Sequence, residues 1–162
     1  NSITISDDGT GSPGSGNILP GSTPTTLSLS PESLNSFANI TLRSSGTIDI
    51  ASAWTLPDRD SVTSALMLQA ATDIRFAQTA FIKAGKGWSV TLAAGNTSAD
   101  PSLITPGIGS ILLNGSSGIY GMDQPMTLMA GKDVIVGRGA IRTTGGGPIS
   151  VTAVSGNINA GQ

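Results

Sequence analysis

Along the chain, apolar residues alternate with small or polar ones in short bursts, the two-residue period of β-strands. The bursts run ITL at Ile40–Leu42, IDI at Ile48–Ile50, LML at Leu66–Leu68, IRF at Ile74–Phe76 and VTL at Val90–Leu92. They continue as ILL at Ile111–Leu113, MTL at Met126–Leu128, VIV at Val134–Val136 and ISV at Ile149–Val151. No stretch sustains an apolar stripe of helical period. The segment Ser61–Ala71 (SVTSALMLQAA) comes nearest, yet it aligns better with the strand series. The chain reads as all-β.

The spacing of the bursts carries more information than the bursts do. Steps of 8 residues separate Ile40 from Ile48, Leu66 from Ile74, Ile74 from Ile82 and Met126 from Val134. Similar bursts then recur 26 residues on from Ile40 (at Leu66), 24 on from Leu66 (at Val90) and 23 on from Met126 (at Ile149). Val90 to Met126 is 36, which reads as one unit plus an insertion at Gly95–Gly107 (GNTSADPSLITPG). Aligned, the units are ITLRSSGTIDI, LMLQAATDIRF, MTLMAGKDVIV and ISVTAVSGNIN. An apolar triplet is followed by a short run of small or polar residues and then by a second triplet.

Repeats of this length mark solenoids, whose units bury a core only by stacking on one another. Three short strands joined by turns within about 24 residues describe one coil of a parallel β-helix, and four to six coils fit the chain. Inward positions then stack into ladders. Leu42, Leu68, Leu92, Leu128 and Val151 form one; Ile40, Leu66, Val90, Met126 and Ile149 form a second beside it. Ile48, Ile74, Ile111, Val134 and Ile158 form a third. Small residues at Gly46, Ala71, Gly131 and Gly156 suit tight corners, where a positive φ is open to glycine. Asp73, Asp133 and Asn157 recur just before the second triplet, where short polar side chains bond turn backbone. An antiparallel sandwich also has many short, regularly spaced strands, but nothing in it preserves the same pair of triplets from unit to unit. Residues 7–26 (DDGTGSPGSGNILPGSTPTT) break the pattern and read as a loop excursion, so residues 1–37 form N-terminal coils and 38–162 the repeats.

Composition narrows the function classes. The chain has 162 residues, of which 22 are Gly, 22 Ser and 18 Thr. It has no Cys and no His, so zinc sites built on those residues, disulfides, and Ser–His or Cys–His catalysis are excluded. With 8 basic against 10 acidic residues it has no electrostatic footprint for nucleic acid. No apolar run reaches the roughly 18 residues of a membrane-spanning helix. NSITISDDGTGSPG lacks the basic and apolar regions of a signal peptide, and both ends read as cut from a longer protein. No cofactor is expected.

The units at Leu66–Phe76 and Met126–Val136, with WSVTLAAGN at Trp88–Asn96 and ISVTAVSGNINAGQ at the end, resemble repeats of filamentous haemagglutinin-type exoproteins. These are the large adhesins of bacterial two-partner secretion systems, which also include contact-dependent inhibition proteins. The resemblance covers residues 38–162. It implies a secreted, right-handed β-helical shaft on the surface of a Gram-negative cell, exported through an outer-membrane two-partner transporter. It implies partners on a host or neighbouring cell, either a receptor or a glycan. The asparagine-rich motifs of the family's secretion domain are missing, so the chain reads as shaft. A stalk delivering a toxin domain is a variant of the same reading.

Parallel β-helices also carry polysaccharide lyases and glycoside hydrolases, so the carboxylates need weighing. Asp73 and Asp133 would lie two coils apart, about 9.6 Å, at the edge of the separation an inverting hydrolase uses. Turn capping explains them equally well, and a non-catalytic protein is expected. Binding candidates are Asp58, Arg59 and Asp60 in the loop LPDRDS, and Asn96 and Asp100 in the insertion. Trp54 and Trp88 join them, since an exposed indole stacks on a sugar ring; corner or core packing is the more ordinary role for both.

Overall fold

The computed structural model describes residues 1–21 and 25–161, so part of the 7–26 excursion, residues 22–24, lies outside the described residues. Strand β1 (Ser2–Ile5) opens the chain. The first coil comprises β2 (Asn17–Ile18), β3 (Thr26–Leu29) and the helical turn α1 (Pro31–Leu34). The second has β4 (Asn39–Ser44), β5 (Ile48–Ile50) and β6 (Trp54–Leu56), and the third β7 (Ser64–Ala70), β8 (Ile74–Phe76) and β9 (Phe81–Ala84). The fourth has β10 (Trp88–Ala94), β11 (Ile111–Leu113) and β12 (Gly118–Gly121), and the fifth β13 (Met126–Ala130), β14 (Val134–Ile135) and β15 (Ala140–Thr143). Strands β16 (Ile149–Ala153) and β17 (Ile158–Asn159) start a sixth. The protein is a β-solenoid of about six turns, almost without helix. Among the described residues no helix is long and apolar enough to cross a membrane.

The second to fifth coils each contribute one strand to each of three parallel sheets, and the first and sixth contribute to the leading and middle sheets. The leading sheet is ordered β16-β13-β10-β7-β4-β2, and the trailing sheet β15-β12-β9-β6. The middle sheet is ordered β17-β14-β11-β8-β5-β1-β3. All three ladders expected from the spacing are present in register. Leu42, Leu68, Leu92, Leu128 and Val151 pair in turn along the leading sheet, as do Ile40, Leu66, Val90, Met126 and Ile149. Ile48, Ile74, Ile111, Val134 and Ile158 do the same along the middle sheet. Through the inner coils these side chains are wholly buried, which places the core inside the triangle of sheets. The period of two decides this, because a one-residue slip would turn every ladder residue outward.

Three details differ from the sequence reading. First, β1 lies between β3 and β5, with Ile3 facing Leu27 on one side and Ile48 on the other. The middle sheet therefore holds one strand more than the coils supply, while β2 pairs directly with β4 in the leading sheet. Asn17–Ile18, inside the expected excursion, is thus a strand of the solenoid. Second, the trailing sheet carries a fourth ladder beyond the three expected: Trp54 faces Ile82, Ile82 faces Ile119, and Ile119 faces Ile141. Third, Gly46, Gly131 and Gly156 do not have positive φ. Close approach excludes larger residues there instead. A Cβ on Gly131 would sit 2.1 Å from the carbonyl oxygens of both Thr105 and Ile108, which fold down from the insertion.

In place of a trailing strand, the first coil has α1. Ser30 starts it by accepting a hydrogen bond from the Ser33 N–H, and Pro31 fits the first helical turn, where its missing N–H is not needed. Leu34 is fully buried, so the turn closes the core where a strand would otherwise lie.

Candidate functional site

Alternation along the trailing strands fixes which side chains face out. Ile82 and Ile119 point into the core and are fully buried, so the residue after each points to solvent. In register, those outward residues are Thr55, Lys83, Tyr120 and Arg142, one per coil. They line an open groove of about 820 Å³ that crosses all four strands, with Leu56, Pro57 and Asp58 at one end and Met122 and Thr144 at the other. That volume lies within the range of small-molecule sites.

Tyr120 is the centre of the groove, and glycine seats it. A Cβ on Gly118 would fall 2.4 Å from the Tyr120 hydroxyl oxygen and 2.5 Å from Cζ, so the ring lies down over a residue without a side chain. Phe81 meets it edge-on, with ring centroids 6.2 Å apart at 67°. The Arg142 guanidinium lies over it, 5.0 Å from the ring centroid, a cation–π contact. Lys83 and Arg142 stand on strands separated by β12, so about 9.6 Å divides their backbones. Among the described residues the ion pair is Arg75 with Asp49, 3.0 Å apart on the middle sheet. Neither Lys83 nor Arg142 is in an ion pair among the described residues, and both are exposed on the groove wall.

Against known proteins, no family model, curated protein or solved structure matches this chain. The site therefore stands on its own geometry.

The residues expected from the sequence occupy three places. Trp54 and Trp88 are buried inside the solenoid. The Trp54 indole N–H donates to Asn35 Oδ1 at 3.0 Å and that of Trp88 to the Pro57 carbonyl at 2.7 Å, so both rings serve packing. Arg59 ties the first coil to the fourth: one of its amino groups donates to the Asn35 and Phe37 carbonyls at 3.2 and 3.1 Å. Its guanidinium stacks on the Trp88 ring at 5.3 Å. Asp58 borders the groove, and its carboxylate accepts the Lys86 N–H at 2.7 Å. Asp60 is exposed beside them.

Asn96 and Asp100 organise the insertion. Asn96 is buried; its amide donates to the Asp100 and Leu103 carbonyls at 2.7 and 3.0 Å, and its oxygen accepts from buried Gln69 at 3.2 Å. Gln69 faces outward from β7 but is covered by this loop. Asp100 is exposed, and the Ser102 hydroxyl and N–H, donating at 2.7 and 2.9 Å, hold its carboxyl below the usual range.

Asp73 and Asp133 stand two coils apart with Ser110 between them, as the alignment implied. Their carboxylates link neighbouring coils: Asp73 accepts the Ser110 N–H at 2.8 Å and Asp133 the Asn157 N–H at 2.9 Å. Asp123 does the same at another corner, accepting the Gly87 N–H at 2.8 Å, and that bond holds its carboxyl below the ordinary range.

Sequence reasoning missed Lys83, Tyr120 and Arg142. The signal was present as Ile82-Lys83, Ile119-Tyr120 and Ile141-Arg142, each an inward isoleucine followed by the groove residue. Ile111 to Ile119 repeats the 8-residue step already visible from Ile74 to Ile82. That step brings Lys83 and Tyr120 into one row, but Val134 to Ile141 is 7, so Arg142 joins them only through the register of β12 and β15.

Proposed function

We propose that the chain is a non-catalytic shaft segment of an exported bacterial surface adhesin, binding a cell-surface receptor or glycan along its side. The observation that carries this reading is a contrast in how polar groups are used. The carboxylates a hydrolase would need, Asp73 and Asp133, are engaged in coil-to-coil hydrogen bonds. Lys83, Tyr120 and Arg142 instead line an open groove across the side of the stack. The ladders running from coil to coil along each sheet support a shaft, since neighbouring coils hold one another. The resemblance of the repeats to haemagglutinin-type exoproteins supports export through a two-partner transporter, with a toxin-delivery stalk as the variant form.

Beads coated with the folded chain are expected to adhere to epithelial or bacterial cells more than beads coated with the heat-denatured chain. Equal retention on every cell type would overturn the adhesive reading. A second reading, a polysaccharide lyase, draws on the basic Lys83 and Arg142 lining the same groove as Asp58. Sustained formation of unsaturated product from polygalacturonate with calcium would establish it in place of the first.

A further inference from the structure

Resting on the adhesive reading, the ligand class can be narrowed. We propose that the groove over the trailing sheet binds a carboxylate-bearing glycan, a uronate-containing polysaccharide, lying along the solenoid axis. Three observations converge on that chemistry.

The first is the pair of cations. The Arg142 guanidinium, a planar fork of N–H donors, is positioned over the Tyr120 ring, 5.0 Å from its centroid. A planar fork matches the two oxygens of a carboxylate better than a point charge does. Lys83, two strands away, supplies a second cation, so acidic groups repeated along a polymer find two contacts in one row. The second is the groove's ends. Thr55 and Asp58 lie at one end and Thr144 at the other, giving a hydroxyl-rich ligand acceptors beyond the cations. A ligand bearing both carboxylates and hydroxyls uses all of these groups; a purely anionic one meets Asp58 as a repulsion. The third is direction. The groove crosses strands β6, β9, β12 and β15 on their face, where main-chain groups are already paired within the sheet. An extended peptide gains no strand pairing there, whereas a polymer recognised through side chains loses nothing.

Affinity electrophoresis of the purified chain through gels containing polygalacturonate, dextran sulfate or dextran tests the proposal. Polygalacturonate is expected to retard the protein, dextran not at all, and dextran sulfate less than polygalacturonate at matched charge. Arg142→Lys keeps the charge and loses the fork, and it is expected to weaken polygalacturonate binding about tenfold or more. Lys83→Ala is expected to weaken it further in combination. Gly118→Ala places a methyl group where the Tyr120 ring lies and is expected to lower affinity with the circular dichroism spectrum unchanged. Arg75→Ala, on the middle sheet, is the control that leaves retardation unaltered.

Equal affinity of Arg142→Lys and the native chain, or retardation that follows charge density alone, overturns the carboxylate-bearing class. Retardation by dextran that the groove variants abolish also overturns that class, while leaving glycan adhesion standing. Polygalacturonate binding without any cell adhesion leaves the site standing and removes the adhesive reading instead.

Discussion

Replacing Leu68 by Ala tests whether the ladders carry the stability of the solenoid. Leu68 is fully buried between Leu42 and Leu92, its direct partners on the neighbouring strands. The change removes the equivalent of three methylenes, about 2.4 kcal/mol of transfer free energy at about 0.8 kcal/mol each. A cavity term adds to this, because hydrogen bonds to β4 and β10 hold both flanking strands at their spacing and prevent collapse into the space. The expected cost is therefore about 3–5 kcal/mol, in the upper part of the range for such substitutions. Val151→Ala at the end of the same ladder is the internal comparison. Val151 is only partly buried, and two methylene equivalents at half cover give about 1 kcal/mol. Urea titration monitored by far-ultraviolet circular dichroism and by the fluorescence of buried Trp54 and Trp88 reads both. With a slope of about 2 kcal/mol per M, the Leu68→Ala midpoint falls by about 1.5–2.5 M and the Val151→Ala midpoint by about 0.5 M. A loss at Leu68 no larger than at Val151 would refute the ladder account.

Asn96→Ala removes the amide that donates to the Asp100 and Leu103 carbonyls, so proteolytic nicking between residues 97 and 108 is expected to accelerate while global unfolding changes little; mass spectrometry of a timed digest checks this. Arg59→Lys loses the amino group that donates to both the Asn35 and Phe37 carbonyls and the guanidinium that stacks on Trp88. It is expected to raise amide exchange around α1 and to cost about 1.5–3 kcal/mol, the range for hydrogen bonds to charged groups. The Asp123 carboxyl is held below its ordinary value of 3.8 by the Gly87 N–H, so its stabilising effect is present above that value and lost as pH falls through the lower folded value. Asp123→Asn does not titrate, and the stability gap between it and the native chain is expected to narrow as acid titration passes below pH 3.8.

Much of the fold was legible in the sequence because stacked coils repeat one selection at every layer. Each inward position must be apolar and each layer must have the same length, so Leu42, Leu68, Leu92 and Leu128 recur and their register could be counted. The insertion showed as a 36-residue step from Val90 to Met126 for the same reason. Outward positions carry no such selection. Thr55, Lys83, Tyr120 and Arg142 share a row but no residue type, and only the register of the trailing strands joins them. The chosen binding residues do not gather in one place: Asn96, chosen for its loop position, is turned inward, and both indoles take the packing role expected as the more ordinary one. Trp54 and Trp88 are core residues, and Asn96 is an internal brace of its own loop.

By itself the sequence determined the parallel coils, three of the inward ladders and the corner carboxylates, since each follows from a local period repeated along the chain. Only the tertiary structure decided where the ends of those periods meet. It set β1 between β3 and β5, across separations of 24 and 45 residues that no repeat marks. It also laid Tyr120 over Gly118 and under Arg142, because a groove is made by side chains from different coils, and their neighbourhood exists only once the coils have stacked.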